Sequence, residues 1–363
     1  MFKSRRANHH RPHKHRAKKA GLPPGSLVHL GEVKTPAPAL SLIEYDATGL
    51  VETRFPDLAA WRAHQPVHAT QWLNLHGLQD ATLMREIGAR FGLHPLVLED
   101  ILNTDQRPKV EGYDDYIYVV MRYLSYDTAA MAMSTEQISL VLNHHGVLTF
   151  QERPTGAFEP IRERMRADRG QLRKLGADYL AYSLLDAIVD RYFVALEQLG
   201  EQSEELEDAL LDKPSRYSLQ TLHKLRRATQ DLRRAVWPLR EVLNSLIRND
   251  AGFFQPGTDL YLRDVYDHTV HIIESIEALR DMQAGMLDIY LSSLSNRLNV
   301  ELRALTVITT LFMPAALVAG VFGMNFKYMP WLSDPDGFLM VMGLMGGIAL
   351  TMATIFWRRN WLR

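Results

Sequence analysis

Two long uncharged runs near the end of the chain constrain its fold more than any other feature. Residues 304–326 carry no charged side chain, and neither do residues 337–357. A helix needs about 20 mainly apolar residues to cross a bilayer, so each run predicts a membrane-spanning helix. The second run is followed at once by Arg358, Arg359 and Arg363. Because Lys and Arg stay on the cytoplasmic side, we expect a multi-pass protein of the inner (plasma) membrane with both termini cytoplasmic.

The part of the chain before the first span divides by composition. Residues 1–25 are basic and rich in His and Arg, with little to bury, and are expected to be disordered. This tail is either a contact for anionic lipid, a histidine metal trap or simply solvated. In residues 26–155, strand-like runs such as 26–33, 70–75 and 137–142 are mixed with helical stretches such as 78–91, and Asn143-His144-His145-Gly146 predicts a hairpin turn. That mixture predicts a cytosolic α/β domain.

The remainder reads as helix. Residues 156–250 predict a cytosolic helical hairpin region, with one helix over 178–211 that has a single buried face and a second helix over 219–248. Residues 258–323 predict one helix of roughly 95 Å that continues into the first span. Apolar residues recur every seven positions along it, which is expected where long helices pack side by side and favours self-association; they are Val265, Ile272, Leu279 and Met286. The remaining segments are predicted as an extracytoplasmic loop (324–337), a second transmembrane helix (338–357) and a basic cytosolic tail (358–363).

Several classes of function find no support. The chain has no cysteine, which excludes disulfides, thiolate metal sites and cysteine nucleophiles. GxGxxG, P-loop, GxSxG and HExxH patterns are absent, so nothing indicates an enzyme. The balance of 41 Lys+Arg against 42 Asp+Glu gives no reason to expect nucleic acid as a partner. A tail-anchored cytosolic enzyme and a membrane-held scaffold remain as rivals to a transporter.

A chain with two spans cannot enclose a pore, so transport would require several copies around it. The long helix carries a stripe of mostly small or polar residues at steps of three and four: Asn299, Leu302, Thr306, Thr309, Met313, Ala316 and Gly320. Small residues also let helices approach closely in lipid, so pore lining and helix contact both remain open.

The span also lacks acidic side chains. No carboxylate lies between Glu301 and Asp334, so a cation would meet backbone carbonyls, water and the amide of Asn325. Neutral oxygens suit hydrated Mg²⁺, which sheds its waters reluctantly. Zn²⁺ prefers nitrogen and sulfur ligands.

Four motifs carry a resemblance. Gly323-Met324-Asn325, followed by Phe326 and by Met329-Pro330, resembles the signature of the CorA family of magnesium and cobalt transporters. Residues 93–100 (LHPLVLED) with 106–109 (QRPK), residues 261–268 (YLRDVYDH) and residues 287–299 (LDIYLSSLSNRLN) are similar to the same family. The motifs stand in the family's order beside two terminal spans.

The resemblance implies a funnel-shaped homopentamer in which the long helix forms both stalk and pore lining. It implies that Gly323, Met324 and Asn325 select the ion, Asn325 forming a ring that binds hydrated Mg²⁺. The implied lining is Asn299, Leu302, Leu305, Met313 and Ala316. Two residues depart from the family pattern. Ala316 stands where Thr is common, and Trp331 replaces an acidic residue, so cation attraction at the mouth would fall to Asp334 and Asp336.

The resemblance also implies a regulatory Mg²⁺ site between subunits. Asp264 and His268 are four residues apart and share a helix face. Asp264 is similar to one half of the site, and Asp100 with Glu99 to the other. Facing carboxylates would repel at low Mg²⁺ and loosen the ring of subunits, whereas bound Mg²⁺ would hold the pore shut.

The sequence therefore predicts a non-enzymatic, channel-like transporter that carries Mg²⁺, with Co²⁺ or Ni²⁺ as further substrates, down its electrochemical gradient. Mg²⁺ is expected as both cargo and regulator, and the expected partners are further copies of the chain, the bilayer and divalent metal ions. Transport of Zn²⁺ by the same family is the alternative.

Overall fold

The structure, a computed structural model, describes residues 21–212, 215–248, 252–324, 327, 329–331 and 334–359. The described residues fall into two units. One is drawn from Met1–Asp208 and Gln220–Ala284, and the other from Ala209–Leu219 and Gly285–Arg363. The basic N-terminal tail lies almost entirely outside the described residues.

A mixed sheet forms the centre of the first unit. Its strands are β1 (Ala39–Tyr45), β2 (Leu50–Phe55), β3 (Thr70–His76), β4 (Lys109–Gly112), β5 (Tyr116–Asp127), β6 (Ala132–Asn143) and β7 (Gly146–Gln151), in the spatial order β2-β1-β3-β7-β6-β5-β4. Only β3 and β7 pair in parallel, with Leu73 opposite Leu148. A parallel pair requires a long crossover, and here the crossover includes two helices and the strands β4, β5 and β6.

The predicted hairpin between β6 and β7 is confirmed. Asn143 pairs with Gly146 across a two-residue turn. The Asn143 side-chain oxygen accepts hydrogen bonds from the backbone of His145 at 2.9 Å and of Gly146 at 2.8 Å. A side chain on Gly146 would collide with the carbonyl of Gln71 on β3, so this turn also requires glycine for the close approach of a neighbouring strand.

One face of the sheet is covered by three short helices, α1 (Leu58–Ala63), α2 (Ala81–Phe91) and α3 (Pro95–Leu102). Asp80 begins α2 by accepting from the backbone of Thr82 and Leu83. His94 begins α3 in the same manner, with a proline in its first turn. Their apolar sides join one buried core with alternate residues of β3 and β7, including Leu73, Leu75, Leu148 and Phe150.

The opposite face carries α4 (Glu159–Arg166) and α5 (Ala177–Asp212). The Trp72 indole donates to Thr149 Oγ1 at 3.0 Å, and that hydroxyl donates to the side chain of Asn74 at 2.9 Å. The Tyr192 hydroxyl of α5 donates to the carbonyl of Arg122 on β5. Helices therefore cover both faces, and the predicted α/β domain is confirmed.

The remaining helices are α6 (Arg216–Val236), α7 (Leu239–Arg248), α8 (Pro256–Phe322) and α9 (Gly337–Arg358). The prediction of one helix over 219–248 is wrong, because the helix is broken at Trp237-Pro238. Proline has no N–H to donate and disfavours helical backbone at the residue before it. The sequence also predicts a strand over 26–33, but in this segment only Leu30 forms a β-bridge, with Asn103. The elements β2, α1 and β4 were not predicted.

The seven-residue repeat of α8 is covered by the chain itself. Val265, Ile272 and Leu279 are buried. On the same helix, Gln283 donates to Ser203 of α5 at 3.2 Å and to Thr229 of α6 at 3.0 Å. The sequence suggested that this repeat favours self-association. In the structure the repeat instead packs on α5 and α6 of the same chain, and it does not leave an apolar stripe for a second copy.

Among the described residues, two helices are long and apolar enough to cross a membrane, α8 and α9. Only 6% of the most apolar stretch of α8, and 0% of that of α9, is buried within the chain. An α/β domain, one long helix and two apolar C-terminal helices together confirm the predicted fold class.

The imidazole of His76 generates a pH prediction. Burial lowers the pKa of His76 to about 4, helped by the charges of Arg162 and Arg54 and opposed by a hydrogen bond with Gln151. The folded pKa is below the unfolded value of about 6.5. The stability that the neutral ring contributes is therefore present above pH about 6.5 and is lost as the pH falls towards 4.

We expect the unfolding temperature of His76→Gln to fall less than that of wild type when the pH is lowered from 6.5 to 4. Thermal unfolding of the detergent-solubilised protein across that pH range measures this decrease. His223→Gln, at an exposed histidine of α6, is the matched control and should follow wild type. Parallel curves for all three proteins would contradict the assignment.

Candidate ion pathway and regulatory metal site

The residues predicted to line a pore occupy one face of α8. At about 100° per residue, positions 299 to 316 of the set fall within an arc of about 120°. All are exposed in the single chain, with Leu302 at 59%, Leu305 at 61% and Met313 at 62%. The complete set is Asn299, Leu302, Leu305, Met313 and Ala316. An apolar face that the chain leaves open must meet lipid, another copy or a pore.

In the uncharged end of this helix, residues 304–322, the polar side-chain groups are neutral hydroxyls. The hydroxyls of Thr306 and Thr309 donate to the carbonyls of Leu302 at 2.8 Å and Leu305 at 2.9 Å. Each hydroxyl oxygen can still accept a hydrogen bond from water. Pro314 lies inside the helix and has no N–H, so the carbonyl four residues earlier loses its usual donor. These oxygens can solvate a hydrated cation without binding it tightly.

The outer end of α8 leads to the predicted selectivity residues. The backbone N–H groups of Gly323 and Met324 donate to the carbonyls of Ala319 and Val321, so these two residues continue the last turn of the helix. Both are exposed. Asn325, the third residue of the motif, lies outside the described residues.

Trp331 organises the return of the chain towards α9. Its ring stacks on Phe322 at 6.4 Å between centroids and 5° between planes. Its φ is +71°, a left-handed conformation that is a genuine outlier for a bulky residue. Its carbonyl approaches Gly337 so closely that any side chain there would collide with it. Asp334 and Asp336 are exposed nearby.

On α3, the predicted metal ligand Asp100 already has a cationic partner. Its carboxylate accepts from Gln106 and from Lys109, both at 2.5 Å. Lys109 also donates to Glu111 at 2.5 Å. Burial lowers the pKa of Lys109, but its hydrogen bonds to Asp100 and Glu111 outweigh this effect and the pKa is raised. Glu99 accepts from the backbone of Gly25 at 2.6 Å.

On α8, Asp264 and His268 face a group of carboxylates on α5. The His268 Nε2 atom lies 3.9 Å from Asp264 Oδ1, and Asp264 is 64% exposed. Burial raises the pKa of Asp186 to about 6, the negative charges of Asp190 and Asp264 raise it further, and His268 opposes them. Asp186 therefore lies in a negative field that a cation would relieve.

Sequence reasoning missed Asp186 and Asp190. The signal was available, since both are acidic residues one helical turn apart beside the predicted buried face of α5. Among the described residues, no three or more His, Cys, Asp or Glu side chains group closely enough to hold a metal ion. Carboxylate oxygens are the ligands that Mg²⁺ prefers, so Asp100, Asp264 and Asp186 are of the residue type that a Mg²⁺ site requires.

The comparisons with known proteins decide the family. The family described as "CorA-like Mg2+ transporter protein" matches residues 68–359. The chain belongs to this family. It is 42% identical to the cobalt/magnesium transport protein CorA of Thermotoga maritima over 95% of this chain and 98% of that protein. It is 32% identical to the putative metal ion transporter YfjQ of Bacillus subtilis over 83% and 92%.

The fold of the CorA-like chain agrees with a solved structure. The complete CorA magnesium transporter of Methanocaldococcus jannaschii superposes with a TM-score of 0.76 at 22% identity, over 89% of this chain and 98% of that one. At that identity the likeness concerns the fold. The family is one of membrane ion transporters rather than of enzymes.

The close approach of Gly337 to Trp331 generates a prediction. We expect Gly337→Ala to displace the return loop, because the added methyl would meet backbone that cannot rotate away; overpacking of this kind costs about 1–3 kcal/mol. Thermal unfolding and size-exclusion chromatography of the solubilised protein measure the effect.

Gly346→Ala is the matched control, since a methyl group on this glycine of α9 meets nothing within 4 Å. Equal unfolding temperatures for Gly337→Ala and Gly346→Ala would show that the approach to Trp331 does not constrain the loop.

Proposed function

We propose that the chain is one subunit of a homopentameric, channel-like transporter that carries Mg²⁺ across the membrane, with Co²⁺ and Ni²⁺ as further substrates. The observation that carries the proposal is the uncharged, exposed face of α8, which leads directly to Gly323-Met324 in a chain 42% identical to a cobalt/magnesium transport protein. An anchor or a scaffold would not require the hydroxyls of Thr306 and Thr309 on such an exposed, uncharged face.

Several copies are required by geometry. Two spans cannot surround a pore, and the pore face of α8 is open in one chain. Because the apolar repeat of α8 is covered by α5 and α6, copies would meet through the surfaces that remain exposed. Five copies is the number that the family resemblance implies.

The membrane potential supplies the driving force. Moving two positive charges across 100 mV yields roughly 4.6 kcal/mol, from about 2.3 kcal/mol per charge. An inside-negative potential therefore favours inward flow without a coupled reaction. A pathway of neutral oxygens suits this mode, because a bare carboxylate would hold a divalent cation instead of passing it on.

We expect Asn325→Ala to reduce Mg²⁺ uptake at least about tenfold, since one lost hydrogen bond costs about 1 kcal/mol and the change is repeated in every subunit. The measurement is uptake into liposomes that hold the purified protein, under an inside-negative potential, with Co²⁺, Ni²⁺ and Zn²⁺ tested in parallel. Asn244→Ala, at an exposed asparagine of α7, is the matched control.

Unchanged uptake by Asn325→Ala would remove the selectivity role of this residue. Zn²⁺ uptake without Mg²⁺ uptake would assign the chain to the alternative substrate. Absence of flux for every ion at low internal Mg²⁺ would favour the scaffold.

The proposal includes regulation by Mg²⁺ bound between subunits. Asp264, with His268 beside it, would face Asp100 and Glu99 of the neighbouring copy. Lys109 offsets part of the charge of Asp100, whereas Asp264 is 64% exposed and, among the described residues, has His268 as its one possible ion-pair partner. At low Mg²⁺ the uncompensated negative charge would therefore lie mainly on the α8 side of the site, where Asp186 and Asp190 add to the negative potential around Asp264.

We expect Asp264→Lys to imitate the bound ion, because an ammonium group would face Asp100 in place of a like charge. Protease sensitivity should then stay low and lose its dependence on Mg²⁺, whereas wild type becomes sensitive when Mg²⁺ is removed. Asp100→Lys is the weaker test, since it would place a second ammonium beside Lys109.

The matched control is Asp281→Lys, at an exposed position of the same helix, which should keep the Mg²⁺ dependence of wild type. If Asp264→Lys also keeps it, Asp264 is not part of the regulatory site.

A further inference from the structure

A cavity of about 580 Å³ lies in the first unit, next to Asp100, because Gln106 both lines the cavity and donates to the Asp100 carboxylate. One side of the cavity is lined by residues 105–108, which precede β4, and by Arg122 of β5. The other side is lined by the corner between α6 and α7. Cavities of about 300–1,000 Å³ hold small organic ligands. The Gln106-Arg107-Pro108 motif, which the proposed transport pathway does not use, forms part of the wall.

The cavity is rich in guanidinium groups. Arg107, Arg122, Arg233 and Arg234 line it, against Asp105 and Asp231. Burial raises the pKa of Asp231, and the charges of Arg234 and Arg227 oppose this effect. The excess of guanidinium over carboxylate is the composition expected of a site for phosphate groups, which arginine binds through paired hydrogen bonds.

The arginines differ in the hydrogen bonds and ion pairs that they already make within the chain. Arg122 donates to the carbonyl of Thr104 at 3.0 Å and to Asp105 at 3.2 Å. Arg233 donates to Glu277 of α8 at 2.8 Å. Arg107 is exposed and makes no ion pair with any residue in the described part of the chain, and Arg234 reaches Asp231 only at 3.6 Å. Arg107 and Arg234 are therefore the two that can receive an anion at least cost.

The same cavity presents a large aromatic ring. Trp237 stands at the break that Pro238 makes between α6 and α7, and its side chain is 48% exposed. The guanidinium of Arg233 lies 4.6 Å from its ring centroid. A tryptophan so exposed beside arginines gives a planar surface on which a heterocyclic base can stack, and such stacking contributes about 1–3 kcal/mol per base.

We infer that this cavity binds a nucleoside polyphosphate, with the base on Trp237 and the phosphates at Arg107 and Arg234. Either feature alone would fit a wider range of ligands. An anion without a ring would leave the exposed part of the indole uncovered, and an apolar ligand would remove water from Arg107 and Arg234 without supplying a negative charge. The combination selects a ligand with an aromatic base at one end and several negative charges at the other.

Equilibrium dialysis of labelled ATP against the full-length oligomer in detergent, with EDTA present to remove Mg²⁺, tests the inference. Wild type should bind ATP saturably and more tightly than AMP or inorganic triphosphate. Arg107→Glu should weaken ATP and triphosphate at least about tenfold, because it replaces a charged hydrogen-bond donor by a like charge. Arg85→Glu, at an exposed arginine of α2, is the matched control and should bind as wild type does.

The tryptophan variants separate the base from the phosphates. Trp237→Ala should weaken ATP about tenfold and leave triphosphate unchanged, whereas Trp237→Phe should retain most of the affinity because it keeps a stacking surface. Circular dichroism and size-exclusion chromatography verify that each variant is folded and assembled.

Three results would overturn the inference. The first is no saturable ATP binding by wild type. The second is an equal loss in Arg85→Glu and Arg107→Glu, which would indicate general charge attraction. The third is triphosphate binding as tight as that of ATP with no effect of Trp237→Ala, which would make the cavity a plain phosphate site.

Discussion

The continuity of α8 is the constraint on which the rest of the structure depends. Inside lipid every backbone N–H and C=O must find a partner within the protein, and a helix provides nearly all of them locally. The same helix continues from Pro256 to Phe322, so its first part is in water and must bury its apolar repeat. The chain meets that need with α5 and α6, which Gln283 joins by two hydrogen bonds.

Charge is distributed between two tasks. The apolar end of α8 offers only hydroxyl and carbonyl oxygens, which can exchange with the water around a divalent cation. Carboxylates lie outside this uncharged end, and three of them, Asp186, Asp264 and Asp100, are those with which the proposed regulatory site is concerned. The raised pKa of Asp186 and the capture of Asp100 by Lys109 show that these groups are unequal, although as residue types in the sequence they look alike.

Some features could be predicted because their cause is local. The β6–β7 hairpin follows from the side chain of Asn143 and the small size of Gly146, and the spans follow from the absence of charge over long runs. The break at Pro238 could also have been predicted, since the reason lies in one residue. By contrast, β2 and β4 pair only at one side, at the ends of the strand order. Apolar and polar residues alternate only weakly in their sequences, because each of these strands has one neighbouring strand and is only partly buried.

By itself the sequence determined the fold class, the two apolar helices and the four motifs that resemble one transporter family. Those features depend on composition, periodicity and spacing. Only the tertiary structure decided which surfaces remain available. It covered the repeat of α8, paired Asp100 with Lys109, placed Asp186 against Asp264, and brought Arg107 and Trp237 to one cavity. Such contacts join residues up to about 130 positions apart, and a side chain's partner at that distance depends on packing that no local pattern records.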